Sequence, residues 1–152
     1  MTVEQQPIES DVEALVPMIS TALATAGDLL IIEDDPEIVT MLVWFLQVEE
    51  GLAVHAAFNS VEALRRISPE PPALVLLDLT IPGEQCADTI AKLRARTGWG
   101  NVPIVLCSGQ ESVATEAMTL GAVSYLIKPF DLDELAALAH HYAQPDKALS
   151  EA

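Results

Sequence analysis

From Gly27 onward the chain alternates short apolar runs with stretches in which apolar residues recur at helical spacing. Leu29–Ile32, Leu52–Phe58, Ala73–Leu77, Val102–Cys107 and Ser124–Ile127 read as five strands. The third is continuously apolar, as expected of a strand covered on both faces. Between them the periodicity predicts helices: from Pro36, tolerated in a first turn, to about Glu50 before Gly51; a short one with Ser60, Ala63, Leu64 and Ile67; one with Ile90 and Leu93 through about Arg96; one from Val113 to Leu120, closed by Gly121. A last helix opens at Asp131 or Asp133 and carries Leu132, Leu135, Leu138 and Tyr142 on one face. Five alternations of strand and helix predict an α/β fold, a five-stranded parallel sheet with helices on both faces.

The flanks read differently. Residues 1–27 form an N-terminal extension in which Val12, Leu15, Val16, Ile19 and Leu23 recur at helical spacing after a Ser10-x-x-Glu13 capping pattern. Pro17 disfavours helical geometry at Val16, leaving either a kinked helix or a short one from near Pro17 to Gly27. Residues 28–143 form the one domain, and 144–152 read as a frayed tail. Pro69-Glu70-Pro71-Pro72 is a stiff link.

Charge narrows the partners. Seven Lys and Arg against 23 Asp and Glu leave a net charge of −16, and no Lys or Arg precedes Arg65. Phosphate backbones and anionic membranes are held by basic residues, so neither nucleic acid nor a membrane is an expected partner. The acidic surface favours solubility. Cys86 and Cys107 have no metal-binding or redox spacing, and no export signal is visible, so a cytoplasmic location is expected.

The chemistry lies where the apolar runs stop. Leu29–Ile32 ends in Glu33-Asp34-Asp35, Ala73–Leu77 in Asp78, Ile104–Cys107 in Ser108, and Tyr125–Ile127 in Lys128. In an open parallel sheet, ligands bind outside the carboxyl ends of the strands. An Asp carboxylate can attack phosphorus to form an acyl phosphate. Asp78 is the candidate, and Glu33 and Asp34 suit Mg2+, which takes one or two carboxylates, phosphate oxygens and water. Lys128 can pair with a phosphoryl oxygen and Ser108 can donate to another. Taken singly, each has an ordinary explanation: acids at a helix start favour its dipole, and Asp at a strand end often caps or turns. Four complementary groups at four strand ends outweigh those readings.

These segments, with Leu79-Thr80-Ile81-Pro82-Gly83, Gly121-Ala122 and Lys128-Pro129-Phe130, closely resemble response regulator receiver domains over about Asp28 to Ala143. The resemblance implies a flavodoxin-like sheet of order 2-1-3-4-5, with Asp78 as phosphoacceptor and Glu33 and Asp34 holding Mg2+ with the Thr80 backbone carbonyl. It further implies Ser108 and Tyr125 as switch residues, Lys128 as the phosphate-binding lysine, a cis Lys128-Pro129 bond, and a histidine kinase or histidine phosphotransfer protein as donor. Asp35 merely flanks the acid pair. The loop Glu84-Gln85-Cys86 departs from the family, which usually has an acid and then Gly there. Thr80 and Gln110 flank the site and are expected to tune water access and the lifetime of the phosphoryl group.

No output domain follows, so readout is expected through binding of a downstream protein by the fourth helix, fifth strand and fifth helix. Two rivals remain. A receiver-fold scaffold that is not phosphorylated is disfavoured by the intact set of polar groups. A Mg2+-dependent aspartyl-phosphate phosphatase would want a second acid two residues after the nucleophile, where Thr80 stands; the protein is therefore not expected to be an enzyme. The first helix is apolar nearly all round, through Ile38, Val39, Met41, Leu42, Val43, Trp44, Phe45 and Leu46. Its second face is expected to be covered by the N-terminal extension or by another chain, a kinase or a second copy in a homodimer. His140 and His141 read as solvated partners of a helix end, and Trp44 and Trp99 as packing or interface residues.

Overall fold

The computed structural model of the chain describes residues 28–66 and 70–143. Readings that concern the N-terminal extension, Ile67, Pro69 and the tail lie outside the described residues. The elements run β1 (Leu29–Ile32), α1 (Pro36–Val43), β2 (Val54–Ala57), α2 (Ser60–Arg66), β3 (Leu74–Asp78), α3 (Cys86–Arg94), β4 (Ile104–Ser108), α4 (Val113–Leu120), β5 (Ser124–Ile127) and α5 (Leu132–Ala143). All pairings are parallel, and the strand order is β2-β1-β3-β4-β5.

Strand alternation sorts the core into two layers. Leu29 and Ile31 of β1 point to the side of α1 and α5, packing with Val39, Leu42, Leu135 and Ala139. Leu30 and Ile32 point to the other side, with Ala63 of α2, Ile90 and Leu93 of α3, and Val113 and Ala117 of α4. Trp99, between α3 and β4, is fully buried in that second layer, with the Arg96 guanidinium 5.2 Å from its ring centre. Every residue of β1, β3 and β4 is buried, so their polar carboxyl ends are held in fixed positions.

β1, α4 and β5 have the bounds expected from the sequence; three strands differ at their ends. β2 is shorter at both ends: the Leu52 amide donates to Leu46 in the turn that leaves the first helix, and the Phe58 amide donates to the Glu62 carboxylate of α2. β3 and β4 are shifted toward their carboxyl ends: β3 starts at Leu74 and reaches Asp78, which pairs with Cys107 of β4, and β4 starts at Ile104 and reaches Ser108, which pairs with Ile127 of β5. The first helix is not uniform. It is α-helical to Val43 and π-helical over Trp44–Glu49, closed by the Glu50 amide on Phe45. The widened turn buries Leu46 and leaves Trp44 52% and Val48 65% exposed, so the expected second-face cover is not provided by the described residues.

Gly121 has φ +78 and closes α4 in the left-handed conformation that a side chain resists. Asp131 caps α5, its Oδ1 accepting from the amides of Asp133 and Glu134. His140, expected to be solvated, has Nε2 2.8 Å from Glu50 Oε1, joining α5 to the end of the π-helical segment. The Lys128-Pro129 bond is cis. Among the described residues, no helix is long and apolar enough to cross a membrane.

Candidate functional site

The carboxyl ends of β1, β3, β4 and β5 converge. Carboxylate oxygens of Glu33, Asp34 and Asp78 lie within 4.8 Å of one another. Glu33 and Asp78 are buried and Asp34 is exposed, so the cluster opens to solvent on one side. From β5, Lys128 Nζ reaches Glu33 Oε1 at 3.0 Å and Asp78 Oδ1 at 3.5 Å. One ammonium thus faces three carboxyl groups, an imbalance that favours a further cation.

The ionisation of the groups reflects this crowding. Burial pushes the Glu33 carboxyl above its ordinary value; the hydrogen bond from Lys128 offsets part of this, and the neighbouring Asp78 adds to the rise. Partial desolvation and the contact with Asp78 also raise Asp34. Burial pulls the Lys128 ammonium down, but its bond to Glu33 and the charges of Glu33 and Asp78 outweigh that, and it stays charged. Three oxygen donors around a gap, two with raised proton affinity, fit a hard divalent cation such as Mg2+. Glu33, Asp34 and Asp78 are the side chains that can hold it.

Each group is fixed by its element. Glu33 follows the fully buried β1, and its Oε2 accepts from the Asp35 amide at 3.2 Å. Asp35 itself faces away from the cluster: its Oδ1 accepts from the Glu37 amide at 2.9 Å, capping α1. Asp78 ends β3, and its Oδ1 accepts from the Thr80 amide at 3.1 Å and the Thr80 hydroxyl at 3.3 Å. Ser108 ends β4, buried, its Oγ accepting from the Gln110 amide at 3.0 Å. Tyr125 is 39% exposed on β5, a strand whose only buried residue is Leu126.

Beside Asp78 a cleft of about 280 Å³ is lined by Thr80, Glu84, Cys86, Gln110, Ser112 and Glu116 among others. The Cys86 thiol there is pushed up to about 11 by burial, with Glu116 and Asp78 adding to the rise, so it is an inert group at neutral pH. Cys107 is fully buried and also shifted upward by burial.

Sequence reasoning missed one polar group near the site. Glu84 Oε2 accepts from the Ser60 amide, the first of α2, at 3.0 Å, and Glu84 Oε1 accepts from the Thr89 hydroxyl in α3 at 3.5 Å. The departure of the Glu84-Gln85-Cys86 loop from the receiver pattern was the available signal, but its partner, 24 residues away, has no sequence signature.

Residues 29–140 match the response regulator receiver domain. This chain belongs to the response regulator receiver family. The transcriptional regulatory protein KdpE of Mycobacterium tuberculosis is 35% identical over 111 residues, covering 72% of this chain and 47% of KdpE. The receiver thus spans about half the length of that relative. A two-component response regulator from Clostridium difficile superposes with a TM-score of 0.66 at 27% identity, over 80% of this chain and 97% of that one. The chemotaxis response regulator CheY4 of Vibrio cholerae shares the fold, with a TM-score of 0.67 at 21% identity over 80% and 99% of the two chains. Receiver domains are signalling phosphoacceptors of two-component systems, phosphorylated on aspartate, and they generally bind Mg2+ at an acidic pocket. They interact with histidine kinases or phosphotransfer proteins.

Proposed function

We propose that this receiver accepts a phosphoryl group on Asp78 from a phosphohistidine of a histidine kinase or phosphotransfer protein, with Mg2+, and signals through phosphorylation-dependent protein binding. The observation that carries the reading is the meeting of Glu33, Asp34 and Asp78 within 4.8 Å, with Lys128 Nζ 3.5 Å from Asp78 Oδ1. A carboxylate oxygen of Asp78 attacks phosphorus, the bond from phosphorus to the donor imidazole nitrogen breaks, and the imidazole takes up a proton as it leaves. Glu33 and Asp34, with the Thr80 carbonyl, would hold Mg2+, which would supply neutralisation of the phosphoryl charge, and Lys128 pairs with a phosphoryl oxygen.

Readout begins at Ser108. Its hydroxyl leaves the Gln110 amide and turns to the phosphoryl group, and Tyr125 responds by moving inward. That biases the surface of α4, β5 and α5, where Met118, Val123, Ile127 and Leu132 are exposed and available to a downstream protein. A phosphatase reading is weaker, because Thr80 stands where such enzymes carry their second acid.

The test is Mg2+-dependent labelling with phosphoramidate or acetyl phosphate, followed by intact mass. Wild type gains one phosphoryl group and Asp78→Asn gains none. An unlabelled wild type would favour a scaffold that keeps the fold without the chemistry, and sustained turnover of added phosphate esters would favour a phosphatase.

A further inference from the structure

The loop after Asp78 carries Thr80, whose carbonyl the functional reading assigns to the cation. Something must hold that loop, and the usual device at its end is missing: Gln85, the N-cap of α3, makes no side-chain capping hydrogen bond. The residue before it, Glu84, makes two side-chain hydrogen bonds, neither of them to an α3 amide. Gly83, at φ +79, lets the chain turn so that the Glu84 amide donates to the Ile81 carbonyl at 3.1 Å. From that turn the Glu84 side chain reaches the Ser60 amide at 3.0 Å and the Thr89 hydroxyl at 3.5 Å.

The two ends of this link matter because of the sheet order. Ser60 follows β2 and Glu84 follows β3, and β1 lies between those strands. The Glu84–Ser60 bond therefore ties together the loops on either side of the strand that ends in Glu33 and Asp34. One carboxylate satisfies an amide that α2 cannot bond internally, steadies the first turn of α3, and anchors the segment from Leu79 to Gln85. We infer that Glu84 is a positioning residue for the phosphoacceptor site: it clamps the loop after Asp78 to the start of α2, so that the Thr80 carbonyl and the two acids that follow β1 are held in register for a divalent cation. The inference rests on the functional reading above. The role concerns this chain's own loop sequence, in which an acid precedes the cap position and the cap position itself makes no bond.

The experiment is calorimetric titration of the full chain with Mg2+ alone, with thermal unfolding recorded in parallel. Ser60→Pro removes the amide that Glu84 accepts from, at a helix position where proline is tolerated, and Ser60→Ala keeps that amide. Glu84→Ala and Ser60→Pro are each expected to weaken Mg2+ binding by about tenfold, the scale of supporting groups around metal ligands. Glu84→Gln, which keeps an acceptor oxygen, and Ser60→Ala stay within about twofold of wild type on that same scale. The double variant Glu84→Ala/Ser60→Pro is no weaker than either single one, because both break the same bond. Mg2+ affinity unchanged in Glu84→Ala, or losses that multiply in the double variant, would overturn the clamp while leaving the functional reading intact. A wild type that binds no Mg2+ would overturn both.

Discussion

Lys128 Nζ sits 3.0 Å from Glu33 Oε1, closer than its 3.5 Å to Asp78. In the resting site the ammonium is therefore chiefly the partner of a buried acid of the cation pair. Lys128→Met strips that partner and leaves Glu33 buried among like charges. Expected is a loss of about 2 kcal/mol in stability without Mg2+, between the values for exposed and for fully buried pairs. Adding Glu33→Gln should restore much of it. Urea unfolding of the single and double variants measures both.

Glu33 and Asp34 are both raised above ordinary carboxylate values, and this sets the pH response. Folding favours their protonated forms, so they weigh against stability at neutral pH. That burden is relieved as pH falls through their folded values and is gone below the ordinary ones. Mg2+ binding runs the opposite way, since protons compete for the same oxygens. Mg2+ affinity should fall on acidification beginning above the usual carboxylate range, approaching about tenfold per pH unit for each proton displaced. Glu33→Gln should flatten the profile. Lys128 is raised as well, so its contribution to stability is full below 10.5 and is lost only as pH rises through its folded value.

Asp35 separates capping from chemistry. Its carboxylate is bonded to the Glu37 amide, so Asp35→Ala should cost about 1 kcal/mol of stability through α1. Mg2+ affinity and phosphoryl uptake should stay near wild type. The same substitution at Asp34 is expected to lose Mg2+ binding with little change in stability. Parallel calorimetry and thermal melts separate the two residues.

Thr80 and Gln110 line the cleft beside Asp78, and the Thr80 hydroxyl already contacts the Asp78 carboxylate. Thr80→Ala and Gln110→Ala open that side to water. Each is expected to shorten the lifetime of the phosphoryl group severalfold, about 1 kcal/mol in barrier. Following loss of label after the donor is removed checks this; unchanged lifetimes would end the idea.

Much of this was readable from sequence because the strands are buried. Continuous apolar runs such as Leu74–Leu77 can be little else in a chain of alternating elements, and their ends are marked by the first polar residue. That is why Glu33, Asp34, Asp78, Ser108 and Lys128 could be picked out together. What escaped depends on distant packing. The switch from α to π geometry at Trp44 has no marker in an unbroken run of apolar residues. The partners of Glu84 and His140 lie 24 and 90 residues away. Asp35 was already set at the margin of the acid pair by the family resemblance, and its bond to the Glu37 amide supplies the geometric reason.

The two tryptophans now stand in opposite environments, Trp99 with no exposure and Trp44 open on the π-helical segment. The chain thus carries two built-in optical probes of separate things. Burial of Trp99 predicts blue-shifted, quencher-resistant emission that follows the integrity of the layer beneath α3. Emission from Trp44 follows whatever comes to rest against the first helix, so a partner arriving there announces itself without any added label.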